Sequence, residues 1–213
     1  HNTSPSSETS NENTETTTAT HYQEILRLYE ETTFSYIQNL APITADEFKS
    51  NDYLRREETV SFLLEALDLV DDQKDYCHGT QYFTDISIND PTANVLCQAY
   101  NLEISKGYSS PDNLPTFQAT NILNRAEFLA LLVRTLKKTI PEETLQAIED
   151  KPNQHTFIDV NDEIWYSQYA DFAEKNNLFR GPYLRPFAPV QWKEAARVMH
   201  QLAKKGLAPS LQE

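Results

Sequence analysis

Apolar residues recur at helical spacing in several separate stretches of this chain. Tyr22, Ile25, Leu26 and Tyr29, then Tyr36, Ile37 and Leu40, predict a first helix over about 22–39, stopped by Pro42. Val60, Phe62, Leu63, Leu64 and Leu67 predict a second over 56–68. A third is expected over about 94–106, closed by Gly107. Asn124 and Glu127 stand as a capping box ahead of Phe128, Leu131, Leu132 and Leu136, a helix with one buried stripe. A short connecting helix follows over 141–150, then helices over 164–176 and 191–205, the last ending at Gly206. Short extended pieces are expected near Phe83 and Phe157, a loop around Ser110 to Pro115, and a charged linker over 71–80. The fold class is therefore mainly α.

The same signals come in repeating order. Phe83-Thr84-Asp85-Ile86 opens one stretch, which closes on Phe117, Ile122 and Asn124-Arg125-Ala126-Glu127. Phe157-Ile158-Asp159-Val160 opens another, which closes on Phe187, Val190, Trp192 and Glu194. A third copy lies upstream, where Arg56 falls on Arg125 and Glu58 on Glu127. Phe48 stands eight residues before Arg56, as Phe117 stands eight before Arg125. Repeated supersecondary units bury their apolar faces against one another, so the question becomes what a repeated surface binds.

These residues resemble the S-layer homology domain. Its units run Phe-x-Asp-Val, a Trp-containing helix, a Gly turn, Phe-x-Pro, then Ile-Thr-Arg-Ala-Glu-Phe opening a second helix. The resemblance covers about 21–206 and divides the chain into a tail (1–20), a degenerate first repeat (21–75), a second (76–139), a connecting helix (140–152), a third (153–206) and a C-terminal tail (207–213). Repeat 1 matches over its second half only. Repeat 2 carries Ala119 where Pro is usual and lacks the Trp of its first helix. Repeat 3 keeps Trp165 and Pro189, is shortened before its second helix, and has Trp192 in the place of Arg. The resemblance implies a three-repeat pseudo-trimer with a central helical bundle and grooves between the prongs. It also implies binding of a secondary cell-wall polysaccharide, often bearing pyruvate ketals, through the groove arginines.

Composition narrows the partners. A net charge of -14 argues against nucleic acid and against anionic membrane surfaces. No apolar run approaches the roughly 20 residues that span a bilayer, so no membrane insertion is expected. The chain opens at His1 with no leader-like stretch, which leaves a processed or a trimmed chain as the two readings. Residues 1–20 are mostly Ser, Thr, Asn and Glu, a composition expected to stay disordered, and Asn2-Thr3-Ser4 is one glycosylation sequon. Length alone allows one or two domains; three repeats of about 55 residues sharing one core fit it better.

Cys77 and Cys97 frame the start of repeat 2. Their even count and the secreted character favour a disulfide, which would stabilise by about 3 kcal/mol through loop closure. Two unrelated thiols remain the alternative. A zinc site would want four ligands, and no Cys-x-x-Cys exists.

Arg56 and Arg125 start their helices, where the macrodipole disfavours a cation unless an anion is near. One reading pairs them with Glu58 and Glu127 of their own helices. The other, carried by the resemblance, has each guanidinium face an inter-repeat groove and take a ligand carboxylate by a bidentate pair, with Glu58 and Glu127 beside it. On that reading both arginines are exposed and replacing either costs under about 1 kcal/mol. Trp192 leaves the third groove altered. Asp85 and Asp159 read as turn braces, with calcium kept open at 85–90 and 159–163, although both segments lack the Gly and terminal Glu of an EF-hand loop. Trp165 and Tyr169 read as core; Tyr183 and Trp192, near turns, are the sugar-stacking candidates. The five histidines show no ligand spacing, and no catalytic motif appears. No cofactor and no metal is expected. The leading expectation is a non-catalytic extracellular protein of the cell wall or S-layer, anchored to a polysaccharide. Its alternative is a homo-oligomer that assembles into a lattice or filament through protein interfaces. The discriminator is whether Arg56 and Arg125 open onto a groove or are sealed.

Overall fold

A computed structural model describes residues 52–110, 114–150 and 157–208. The expected first helix, residues 1–20, Phe48 and the last five residues lie outside the described residues. Six helices occur among the described residues, with no strand: α1 (Arg56–Ala66), α2 (Ala93–Asn101), α3 (Arg125–Leu136), α4 (Glu142–Glu149), α5 (Ser167–Lys175) and α6 (Trp192–Lys204). The mainly α expectation holds, and no strand is present at Phe83 or Phe157.

Helix ends explain most boundary differences. The Asn124 carboxamide accepts the Glu127 N–H at 2.9 Å, and Glu127 Oε2 accepts the Asn124 N–H at 3.0 Å, so the expected capping box starts α3. The helix expected to reach Gly107 instead ends at Asn101. Glu103 turns left-handed (φ 62°), and the Ile104 N–H closes onto the Ala99 carbonyl at 2.9 Å. The same closure ends α1 at Asp68, α5 at Asn177 and α6 at Gly206. Gly107 serves another purpose. A Cβ there would stand 2.6 Å from the Thr116 carbonyl oxygen and 3.0 Å from the Phe83 ring.

Three short extended segments, just ahead of α1, α3 and α6, lie together at the centre. Leu54 N–H donates to Val190 C=O (2.9 Å), Val190 N–H to Leu123 C=O (3.0 Å), and Leu123 N–H to Leu54 C=O (3.0 Å). The bonds form a closed triangle in which each segment gives once and receives once. Two residues on for the donors and two back for the acceptors, the pattern repeats: Arg56 N–H to Asn121, Arg125 N–H to Ala188, Trp192 N–H to Asp52, at 2.9–3.0 Å. Leu54, Leu123 and Val190 are buried with the rest of one continuous core. α1 packs on α2 and on α3, α3 packs on α5, and α4 on α5.

This register corrects one sequence match. Glu57 N–H meets the Ala119 carbonyl and Ala126 N–H meets the Pro186 carbonyl, each at 3.0 Å. Thr84 N–H meets the Pro115 carbonyl and Ile158 N–H the Pro182 carbonyl. The counterpart of Phe117 is therefore Leu184, not Phe187, and Pro186 stands where Ala119 does. The third stretch is shortened before its second helix, as expected, and the shortening lies directly after its glycine. Gly181 is followed at once by Pro182, whereas seven residues, 108–114, separate Gly107 from Pro115.

Candidate functional site

Arg56, the first residue of α1, points across to the next unit rather than to Glu58. Its guanidinium donates to Ser105 Oγ at 2.9 Å and to the Tyr108 hydroxyl at 3.3 Å, and lies over the Tyr108 and Phe117 rings (4.7 and 5.2 Å). The Tyr108 hydroxyl in turn donates to Glu127 Oε1 at 2.7 Å. Arg56 is 7% exposed. Burial pulls its pKa below the usual arginine value, with Tyr108 and Glu127 opposing the shift. The same burial and the Glu127 hydrogen bond push the Tyr108 phenol up.

Arg125, the first residue of α3, repeats the arrangement one unit on. It donates to the Leu184 carbonyl at 2.7 Å, pairs with Glu194 Oε1 at 2.7 Å, and lies over Phe179 at 5.3 Å. The missing loop explains the difference between the two junctions. The third unit has no counterpart of Tyr108, so Arg125 reaches its carboxylate directly, whereas Arg56 reaches Glu127 through a phenol. In both arginines Nε is buried without a hydrogen-bond partner.

At the third junction Trp192 stands in the same place and packs edge-on against Phe62, centroids 5.4 Å apart. It is 6% exposed, which removes it as a surface stacking residue. The expectation that Arg56 is exposed is corrected likewise, and Arg125 is mostly covered. A helix-initial arginine avoids the unfavourable dipole here by finding carboxylate charge on the neighbouring unit. Glu58 is exposed and its carboxylate accepts the Arg55 N–H at 3.3 Å, capping α1.

Asp85 and Asp159 brace turns. Asp85 accepts the Phe117 and Gln118 N–H groups at 2.7 Å, and Asp159 accepts those of Leu184 and Arg185 at 2.8 Å. Gln118 and Arg185 both adopt left-handed φ (61° and 53°). With these oxygens bound to backbone, the turn-brace reading holds. No group of three or more His, Cys, Asp or Glu among the described residues is placed to hold a metal. Cys77 and Cys97 form a disulfide with Cα atoms 5.2 Å apart.

Among the aromatics of the third unit, Trp165 departs from its expected place in the core. Tyr169 is buried as expected, its hydroxyl accepting from Arg134 Nε at 2.9 Å. Trp165 is 55% exposed and Phe187 70% exposed, each edge-on to the buried Tyr166. Tyr183 is 49% exposed. Neither Trp165 nor Phe187 was separable from core on spacing alone, since both lie beside buried neighbours in sequence. Ser105, Tyr108, Phe179 and Glu194 complete the arginine junctions, and only Glu194, aligned with Glu127, carried a sequence signal. No helix among the described residues is long and apolar enough to cross a membrane. No protein-family model matches the chain, and no curated protein matches it.

Proposed function

We propose that the chain is a non-catalytic extracellular module that holds to a cell-wall or envelope polysaccharide, built from three degenerate repeats of S-layer homology type. The observation that carries the glycan reading is the exposed aromatic set of the third unit, Trp165, Tyr183 and Phe187. Large aromatic faces left in water stack well on sugar rings, and a run of them marks a contact surface. The closed triangle of backbone bonds supports the three-repeat reading, because each unit supplies an equivalent segment to it. The disulfide supports an oxidising compartment.

The arginine junctions take a structural place in this reading. Arg56 and Arg125 staple neighbouring units, and the contact with polysaccharide falls to the outer surface. A second reading, a homo-oligomer that assembles by protein interfaces without glycan, draws on the same two arginines, since their guanidinium groups are spent inside the chain. Co-sedimentation of the folded protein with its own isolated cell wall, before and after removal of wall polysaccharide, separates the two. Retention lost with the polysaccharide supports the anchor. Retention by protein-free wall being absent, with concentration-dependent self-association in its place, moves the assignment to assembly.

A further inference from the structure

The last helix, α6, is buried along a face that no described helix covers. Ala195, Val198 and Leu202 are fully buried, and Met199 nearly so. Phe62 meets Trp192 at the first residue of the helix, and the Arg197 guanidinium lies 5.8 Å from the Phe179 ring. Leu202 stands about 15 Å further along the axis than Trp192. Among the described residues no helix packs along that length. Beside the buried face runs a basic stripe. Lys193, Arg197, His200 and Lys204 follow one another at four, three and four residues, which places them on one side of the helix. The first three are half-buried. The carboxylate of α6, Glu194, is already held by Arg125 at 2.7 Å.

The other two units show what covers such a helix. α1, the second helix of the first unit, packs on α2, the first helix of the second. α3, the second helix of the second unit, packs on α5, the first helix of the third. The closed triangle makes the first unit the neighbour that follows the third. By the same rule α6 takes the first helix of the first unit, which apolar spacing predicts over about 22–39. Connection lengths agree: residues 176–191 join α5 to α6, and residues 40–55, an equal number, join the predicted helix to α1. The entry point agrees as well, because the Asp52 carbonyl accepts the Trp192 N–H at 3.0 Å, at the start of α6.

We infer that α6 is the docking surface for residues 22–39 of the same chain. Tyr22, Ile25, Leu26 and Tyr29 supply an apolar stripe for the buried face, and Glu24, Glu30 and Glu31 supply carboxylates for the basic stripe. Charge selects this partner. In a chain of net charge -14, α6 carries Lys193, Arg197 and Lys204 against Glu194, whereas residues 22–39 carry those three glutamates against Arg27. Tethering selects the chain's own segment over that of a second copy. A short connection holds it at an effective concentration near the millimolar range, far above that of a second molecule in dilute solution. The inference is independent of the polysaccharide reading and adds an intramolecular contact that closes the third unit on the first.

Carbodiimide cross-linking of the full chain, with the monomer fraction mapped by mass spectrometry, tests it. The reagent couples carboxylates to lysine amines in contact, so links from Lys193 or Lys204 to Glu24, Glu30 or Glu31 within one chain are the expected result. Hydrogen exchange gives a second readout. Ile25→Asp with Leu26→Asp should speed exchange of the α6 amides at least about tenfold, with α2 and α3 close to the parent. If that variant loses protection everywhere, the parent's cross-links decide. Absence of these links from the monomer, or α6 exchange unchanged in the variant, overturns the inference. Links found only in a dimeric species also overturn it and give the face to a second copy. Neither measurement involves glycan, so failure here leaves the polysaccharide reading standing.

Discussion

Truncating Arg56 to alanine tests whether this residue is a staple or a ligand receptor. The side chain donates to Ser105 at 2.9 Å and to Tyr108 at 3.3 Å, and covers two aromatic rings. A hydrogen bond from a charged donor contributes about 1.5–3 kcal/mol, and each ring contact about 0.5–1 kcal/mol. The truncation also leaves the fully buried Ser105 hydroxyl without its donor and opens a void beside Phe117. Against this, a buried cation held below its usual pKa is no longer desolvated. The balance is a loss of about 3 kcal/mol, which at this chain length lowers the melting temperature by about 6–12 °C. Arg56→Met keeps the apolar cover over both rings and should lose about half as much. Urea denaturation followed by circular dichroism gives both numbers, with the exposed Arg55→Ala as a control expected within about 1 kcal/mol of the parent. A loss below about 0.5 kcal/mol in Arg56→Ala refutes the staple and restores an open, ligand-facing arginine.

Three other outcomes follow from the geometry. Leu64→Ala and Leu132→Ala, both fully buried in equivalent helices, should each lose about 2–5 kcal/mol by the same denaturation assay; tolerance of either would show that its helix is not packed as described. Gly107→Ala should be worse than Gly79→Ala by at least about 1 kcal/mol, because both have left-handed φ but only Gly107 would drive a Cβ into a carbonyl. Burial first, and Asp72 second, raise the pKa of Glu65 above its usual value, so the folded state binds protons more readily than the unfolded one there. Its ionisation therefore costs stability as pH rises past the unfolded value, and Glu65→Gln should melt higher than the parent at pH 7 but not at pH 3.5.

Much of this was legible in the residues, for identifiable reasons. The capping box of Asn124 and Glu127 and the glycine at 206 fix helix ends by local chemistry, and both stand where the sequence puts them. The end of α2 escaped because Glu103, not a glycine, takes the left-handed position, with the Ile104 N–H closing onto Ala99 and its side chain buried. Matching Phe187 to Phe117 followed residue type, whereas the eight-residue spacing to the helix start points to Leu184, which the hydrogen bonds confirm. The burial of Arg56 was out of reach, since it depends on Ser105 and Tyr108 arriving from some fifty residues away. Exposure of Trp165 is a tertiary property of the same kind.

The closed triangle of Leu54, Leu123 and Val190 sets a limit on how such a chain can change in length. An open solenoid grows or shrinks by one unit with little penalty, since its last unit meets only one neighbour. In a three-membered cycle every donor already has its acceptor. A fourth copy would need the triangle to become a square, with every unit re-aimed against its neighbours. A lost copy would strand one N–H and one carbonyl in the core. The seven residues by which the segment after Gly181 is shorter than that after Gly107 leave the triangle intact, and so does the tryptophan at 192. Three segments close this cycle, and the freedom that remains lies in the side chains shown outside it.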